Sequence, residues 1–354
     1  MSCPSPRRVP VPVRSHLDVR QRTGSGIGKR QRMKNLIRNC IAAREIAKAS
    51  QILNLLRPGR SLNSKKVRVS KTCYEDLSGG AETPSMAPHS VPLRSALCRQ
   101  SDFMRDGYRY WTSAFGEPPR LHRKQWEFYF IVQALYERGM LEPGKRALGF
   151  GVGQEPLPAL FASRGAGVVA SDQGFEGAVR GGWAQTGQHT TSNVKLNDRG
   201  ICPEEEFSKH VRFREVDMNQ IPSDMDGQFD ACWSACCLEH LGSLQCGLDF
   251  IVNSINTLRP GGVAVHTTEF NLTSNHQTIE TRDLSLYRKR DIEALIVQLE
   301  ANGHRVEPID WSTGTGYVDG YIDLPPYKVE PHLKLKIGAY ECTSIALIVT
   351  KGGA

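Results

Sequence analysis

Residues 145–173 read KRALGFGVGQEPLPALFASRGAGVVASDQ, and this stretch decides the fold. A short apolar run, residues 147–150, meets Gly151-Val152-Gly153. An amphipathic helical pattern follows with Leu157, Leu160 and Phe161, and a second apolar run, residues 168–170, ends at Asp172. Strand, glycine turn, helix and strand make one β-α-β unit. Glycines belong where the strand becomes the helix, because a side chain there would keep a ligand away from the backbone. An acid at the tip of the second strand stands where a ribose diol would donate two hydrogen bonds. The unit therefore predicts a nucleoside-containing cofactor; a glycine turn in an α/β protein with no cofactor is the plain alternative. A dinucleotide is not expected. Neither glycine register completes G-x-G-x-x-G, the sixth residue being Gln154 counted from Gly149 and Pro156 counted from Gly151.

Working outward, a helix is expected around residues 175–183 and a third strand over 211–216, which ends at Asp217-Met218. A carboxylate there lies beside the acid of the second strand, at the mouth where open α/β sheets bind ligands. Its plain alternative is a surface acid closing a strand. The fourth run, residues 229–241, reads FDACWSACCLEHL. After it come an amphipathic helix (Leu248, Ile251, Val252, Ile255, Leu258), the turn Arg259-Pro260-Gly261-Gly262 and a fifth strand over 263–267. Beyond lie a helix over 290–302, a strand over 304–310 and a last strand over 343–349. The insert between those two strands carries Trp311, Tyr317, Asp319, Tyr321, Asp323, Tyr327 and His332. Such a mixture suits a polyhydroxylated ligand, and equally a loop that packs on itself.

The order G-x-G, acid after strand two, acid after strand three, FD…S…LEH, then LRPGG and a strand resembles the class I S-adenosylmethionine-dependent methyltransferases, most of all the group acting on small molecules. The resemblance covers residues 146–270 and, more loosely, 289–350. It implies a Rossmann-like, doubly wound, mainly parallel sheet with helices on both faces and an antiparallel last strand. It implies S-adenosylmethionine as cofactor, with Phe150, Gly151, Val152 and Gly153 at the methionine part and Asp172 and Gln173 at the ribose. Asp217 and Met218 would meet the adenine, and Ser234 the sulfonium side. Two departures stand out: the acid expected two residues before the first glycine is Gly149, and the third glycine of G-x-G-x-G is Glu155, which offers a replacement charge.

In quinone-ring and small-RNA O-methyltransferases a similar E-x-x-E-H run holds magnesium. Here Cys236 takes the first Glu position, leaving Glu239 and His240, too few ligands for a hard cation. No metal is expected. His240 is a candidate general base, because an unperturbed pKa near ~6.5 lets it accept a hydroxyl proton at neutral pH; its alternative role is to cap or pack the helix that follows. Glu269, just past the fifth strand, is the second candidate. The Asp/Asn-Pro-Pro-aromatic motif of the amine-methylating enzymes is missing after strand four. The run Asp323-Leu324-Pro325-Pro326-Tyr327 has an extra leucine and lies beyond strand five.

The net charge of +8 suggests a nucleic-acid binder until it is mapped along the 354 residues. Residues 1–100 hold 20 Lys/Arg against 5 Asp/Glu, net +15, so the remainder is net −7. A body that gripped phosphates would be basic itself, so the expected partner is a small acceptor and not nucleic acid. Three parts are expected: a basic head over 1–98, a helical lead-in over 99–145 and the methyltransferase domain over 146–350. Within the head, residues 1–31 lack an apolar period. Residues 33–56 read as a basic amphipathic helix suited to an anionic membrane, an acidic partner or the protein's own catalytic domain. The segment 24–29, GSGIGK, fails as a P-loop, since no strand precedes it and Arg30 replaces the Ser/Thr. The 10 cysteines contain no C-x-x-C pair and read as reduced, which with no apolar span of ~20 residues points to a soluble, cytoplasmic protein. The expected reaction is O-methylation of a small or saccharide-derived acceptor. Its rivals are RNA 2′-O-methylation with the head as an arm, and a non-catalytic nucleoside-binding scaffold.

Overall fold

The computed structural model describes residues 92–174, 190–328 and 330–353. Residues 1–91 of the head, with its expected helix over 33–56, and the helix expected around 175–183 lie outside these residues. In chain order the strands are β1 (Ala96–Leu97), β2 (Arg146–Phe150), β3 (Gly167–Asp172), β4 (Val211–Glu215), β5 (Phe229–Ala235), β6 (Leu258–Asn271), β7 (Arg305–Val306), β8 (Ile322–Asp323), β9 (Lys334–Ile337) and β10 (Tyr340–Thr350). The helices are α1 (Gln100–Phe103), α2 (Asp106–Ala114), α3 (Arg123–Tyr136), α4 (Leu157–Ser163), α5 (Glu204–His210), α6 (Leu244–Asn256) and α7 (Lys289–Ala301). None of the helices among the described residues is long and apolar enough to cross a membrane.

One sheet runs β4-β3-β2-β5-β6-β10-β9-β8, with β1 and β7 also paired to β10. The five strands from β4 to β6 are parallel, and β10 joins β6 antiparallel. This is the Rossmann-like, doubly wound order that the sequence implies. The strand order reverses between β2 and β5, and the carboxyl ends beside such a switch point are where sheets of this kind receive ligands.

Side chains on β5 alternate between the two faces, as a strand's period of two requires. Trp233 and Ala235 enter a core shared with α3 and α4, while Cys232 enters another with Phe250, Ile251 and Ile255 of α6. Residues 125–135 of α3 are all buried, which makes α3 a core helix and its aromatics packing. The helical lead-in is broken between residues 114 and 123. Pro118 and Pro119 bar a helix from passing, and His122 restarts it by accepting a hydrogen bond on Nδ1 from the Lys124 backbone, 3.1 Å away. The folded body begins before residue 98: Leu93, Ala96, Leu97 and Cys98 are buried, and β1 pairs with β10.

The long insert clasps the start of α3. The His332 backbone donates to the Leu121 carbonyl at 2.8 Å and accepts from the Arg123 N–H at 3.0 Å. The two imidazoles of His122 and His332 stack at 4.8 Å, and His332 Nδ1 lies 2.7 Å from Asp323 Oδ2. Burial, with His332 and Arg123 nearby, holds His122 well below the ordinary histidine pKa, so its ring is neutral.

Gly149 faces Trp233 across the β2–β5 pairing. A Cβ at 149 would stand 2.3 Å from the indole Cζ2 and 2.5 Å from Val152 Cγ1. Gly149→Ala should therefore destabilise the fold by about 1–3 kcal/mol, the usual cost of overpacking. Trp233→Val in the same chain should recover part of that loss, because the two changes share one space. Denaturant unfolding of the two single variants and the double variant measures both, and strict additivity would contradict the packing described.

Candidate active site at the carboxyl ends of the sheet

The glycine turn after β2 takes left-handed backbone angles, φ +59° at Gly151 and +52° at Gly153, which glycine adopts without strain. A Cβ on Gly151 would meet Cys237 Sγ at 3.0 Å and Met218 Sδ at 3.4 Å. The bare backbone is thus what lets the loop lie against the end of β4. Asp172 ties the turn down from β3: its Oδ2 accepts from the Gly153 N–H at 3.2 Å and the Thr190 N–H at 3.3 Å, and its Oδ1 accepts from Gln173 at 2.8 Å. The Val216 N–H donates to the Asp172 carbonyl at 2.9 Å, which sets Asp217 and Met218 beside it. Asp217 is exposed and accepts from the Asn219 N–H at 2.8 Å. Gly151, Gly153, Asp172, Gln173, Asp217 and Met218 are therefore gathered at one end of the sheet.

Three residues expected at the cofactor stand differently. The Phe150 ring is buried edge-on against Phe250 at 5.1 Å, and Val152 is a core side chain, so only their backbones serve the turn. Ser234 is fully buried, with its hydroxyl 2.8 Å from His266 Nδ1. His266 Nε2 in turn lies 3.0 Å from the Ser254 hydroxyl of α6, so Ser234 belongs to a core hydrogen-bond chain under that helix and not to the sulfonium side. Burial drives the His266 pKa down to about 3, which keeps this chain neutral.

Glu155 is 6% exposed and receives the indole N–H of Trp233 at 2.5 Å. Burial pushes its carboxyl up to about 8, against the opposing pull of the Trp233 hydrogen bond and the Lys124 ammonium. A buried acid held protonated at neutral pH is one that a ligand cation would ionise. The residues present fit an amino-acid ammonium better than they fit a pyrophosphate.

Next to this end lies a buried charged group drawn from four elements. Cys236 closes β5 in the left-handed region, φ +55°, and a short 3-10 turn, Leu238–His240, follows. Glu239 is 1% exposed and accepts from the Thr268 hydroxyl at 3.0 Å. Glu269 of β6 forms an ion pair with Arg123, the first residue of α3. Lys124 Nζ donates to the Ala235 carbonyl at 2.7 Å and lies 3.3 Å from Glu127. Burial raises both the Glu239 and Glu269 carboxyls; a hydrogen bond from Cys236 opposes this in the first and Arg123 in the second. His240 is partly exposed, with Nδ1 2.6 Å from the Asp283 carbonyl. A carbonyl can only accept, so Nδ1 carries a hydrogen, and in the neutral ring the lone pair is on Nε2, 3.9 Å from Glu239 Oε1.

Ligating atoms of Cys236, Glu239 and Glu269 lie within 4.8 Å of one another. Counting ligands along the chain finds only Glu239 and His240. Glu269 joins them because β6 runs beside β5, with Ala235 opposite Thr267. Arg123, Lys124 and Glu127 escape the sequence reading as site residues. Their signal is a cluster of charge in the first turn of an otherwise apolar, buried helix.

No family model matches the chain, and no curated protein matches it in sequence. Solved structures resemble it in part. A protein of Galdieria sulphuraria assigned as a sarcosine dimethylglycine methyltransferase is 13% identical, with a TM-score of 0.31 and coverage of 55% of each chain. The chain thus spans about half the length of that protein. The 1,6-didemethyltoxoflavin-N1-methyltransferase of Burkholderia thailandensis, solved with S-adenosylhomocysteine, is 15% identical at a TM-score of 0.39, over 72% of this chain and 87% of its own. The magnesium protoporphyrin IX methyltransferase of Synechocystis PCC 6803, solved with the same product, is 17% identical at 0.38, over 71% and 97%. Likenesses of this size do not assign the chain to a family, and its chemistry rests on its own residues.

Proposed function

We propose that this protein transfers a methyl group from S-adenosylmethionine to an oxygen of a small, polyhydroxylated acceptor. The observation that carries the reading is the glycine turn tied to Asp172 with the buried Glu155 beside it. In this reading Asp172 takes the ribose hydroxyls, Asp217 and Met218 the adenine, and the bare backbone of Gly151 and Gly153 admits the methionine part. Glu155 takes the amino group, because Trp233 fills the space that an acid at position 149 would need. The bound cofactor supplies an electrophilic methyl on its sulfonium. The chain's own contribution is to hold the acceptor oxygen in line with it and to remove the proton. His240 is the base, since its tautomer leaves Nε2 able to accept. Glu269 is the alternative, and the net charge of −7 over residues 101–354 disfavours a polyanionic acceptor.

Calorimetry tests the cofactor. S-adenosylmethionine should bind and a nicotinamide dinucleotide should not, with Asp172→Ala weakening binding by about 1–3 kcal/mol, the cost of unpaired buried donors. The pH dependence follows from the raised Glu155 carboxyl. Below about pH 8 the empty site holds a proton on Glu155, and an ammonium beside it lowers that pKa. Binding at pH 7 should therefore expel a proton, visible as a binding heat that depends on the buffer. Affinity should rise as the pH approaches 8 and level off above it. Glu155→Gln should abolish the proton release; persistence of the release would take Glu155 out of the site.

Turnover tests the base. His240→Ala should leave cofactor affinity nearly intact and lower the rate roughly 10²-fold, the ordinary worth of a positioned proton transfer. In the parent enzyme the rate should rise with pH through one ionisation. Normal turnover in His240→Ala would move the role to Glu269.

A further inference from the structure

One guanidinium joins the roof of the acceptor site to its floor. Arg123 pairs through Nη2 with Glu269 of β6. Its Nη1 lies 3.3 Å from Glu127 Oε1, 3.3 Å from Cys236 Sγ and 3.2 Å from the Ser344 hydroxyl of β10. Two of its partners, Cys236 and Glu269, belong to the set of three that converges within 4.8 Å. One sulfur and two carboxylates at that spacing are a donor set for a borderline divalent ion. Here two of those donors, Cys236 and Glu269, already face a cation, one that stays charged at any working pH and whose planar fork suits carboxylates.

A second observation shows what is still wanting. Among the described residues, Arg123 Nε and Glu269 Oε2 are both buried and have no hydrogen-bond partner, although Glu269 is only 5% exposed. Buried polar atoms are seldom left unpaired without a ligand or water to serve them. An orphan donor and an orphan acceptor in one ion pair match a hydroxyl, which accepts from the first and donates to the second. An anion fits poorly, because the carboxylates of Glu127, Glu239 and Glu269 outnumber the cations Arg123 and Lys124.

We infer that Arg123 is the resident cation of the acceptor site: it fills the place a divalent metal would take among Cys236, Glu239 and Glu269, and with Glu269 it binds a neutral hydroxyl of the acceptor. The hydroxyl held there neighbours the oxygen that His240 serves, so the acceptor carries at least two. The second half rests on the methyl-transfer reading; the first does not.

The full chain is titrated with Co²⁺, whose bond to a thiolate absorbs in the near ultraviolet. The parent protein should show no such band from Cys236. Arg123→Met should show it, and Arg123→Met/Cys236→Ser should lose it; Arg123→Gln serves as a second opening of the site should the methionine variant fold poorly. A band in the parent protein that vanishes in Cys236→Ser overturns the inference, since a metal would then be the site's cation. The hydroxyl is probed by saturation-transfer NMR with methyl glucoside. Transfer should be seen with the parent protein and drop at least several-fold in Arg123→Met, while the 6-phosphate of the same sugar shows less. No transfer in the parent, or stronger transfer to the phosphate, overturns the hydroxyl site. Calorimetry with S-adenosylmethionine on the same samples separates the two readings: absent cofactor binding would sink methyl transfer and leave the cobalt result decisive for Arg123.

Discussion

A carboxylate cannot stay ionised under a roof of packed side chains without a cation to answer it, and Glu269 at the end of β6 meets that demand through Arg123. Removing one member of such a buried pair is strongly destabilising, because the survivor keeps its charge and loses its partner. The pair therefore fixes where α3 begins relative to the sheet. Once α3 is so placed, Lys124 falls over the Ala235 carbonyl and Glu127 reaches Ser344 of β10 at 2.5 Å. The rest of α3 then lies in the core, with Trp126, Phe130 and Ile131 fully or nearly buried. The aromatic density of the lead-in and the charges in its first turn are two ends of one arrangement.

The departures from the cofactor motif that look like decay along the chain become a single substitution in space. Glycine at 149 leaves room for the indole of Trp233, the indole donates to Glu155, and Glu155 offers a carboxyl near the turn by another route. Each change is costly alone. An acid at 149 would collide with the indole, and the indole without Glu155 would bury an unpaired N–H. Together they keep the number of polar groups balanced while moving the acid six residues along the chain.

Elements whose burial is set by near neighbours were legible from the sequence. β2, β3, β5, β6 and β10 announce themselves by apolar runs, β4 by Val211 and Phe213 alternating with Arg212 and Arg214, and the acids at the ends of β3 and β4 by position. What escaped depends on contacts between distant segments. Ser234 is expected at the sulfonium side through the family resemblance, but strand alternation turns its hydroxyl under α6 to His266. β8 and β9 are too short to show a period, and β6 extends well beyond its apolar run because its pairing with β10 carries it on. Glu269 appeared as an isolated carboxylate. Its company of Cys236, Glu239 and Arg123 exists only after β6 is laid beside β5 and α3 is laid across both.

The clasp between the insert and α3 ties the roof of the site to a segment 209 residues further on, as the contact of the Leu121 N–H with Glu330 shows. His332, stacked on the imidazole that starts α3, follows the glycine turn, Asp172 and the tips of β5 and β6 in the chain. During synthesis the glycine turn, Asp172 and the tips of β5 and β6 can all assemble while the beginning of α3 still lacks its strap. The enclosed crevice is then a joint property of segments far apart in sequence, and a fragment that stops before His332 carries the contact residues without the strap that holds the start of α3 over them.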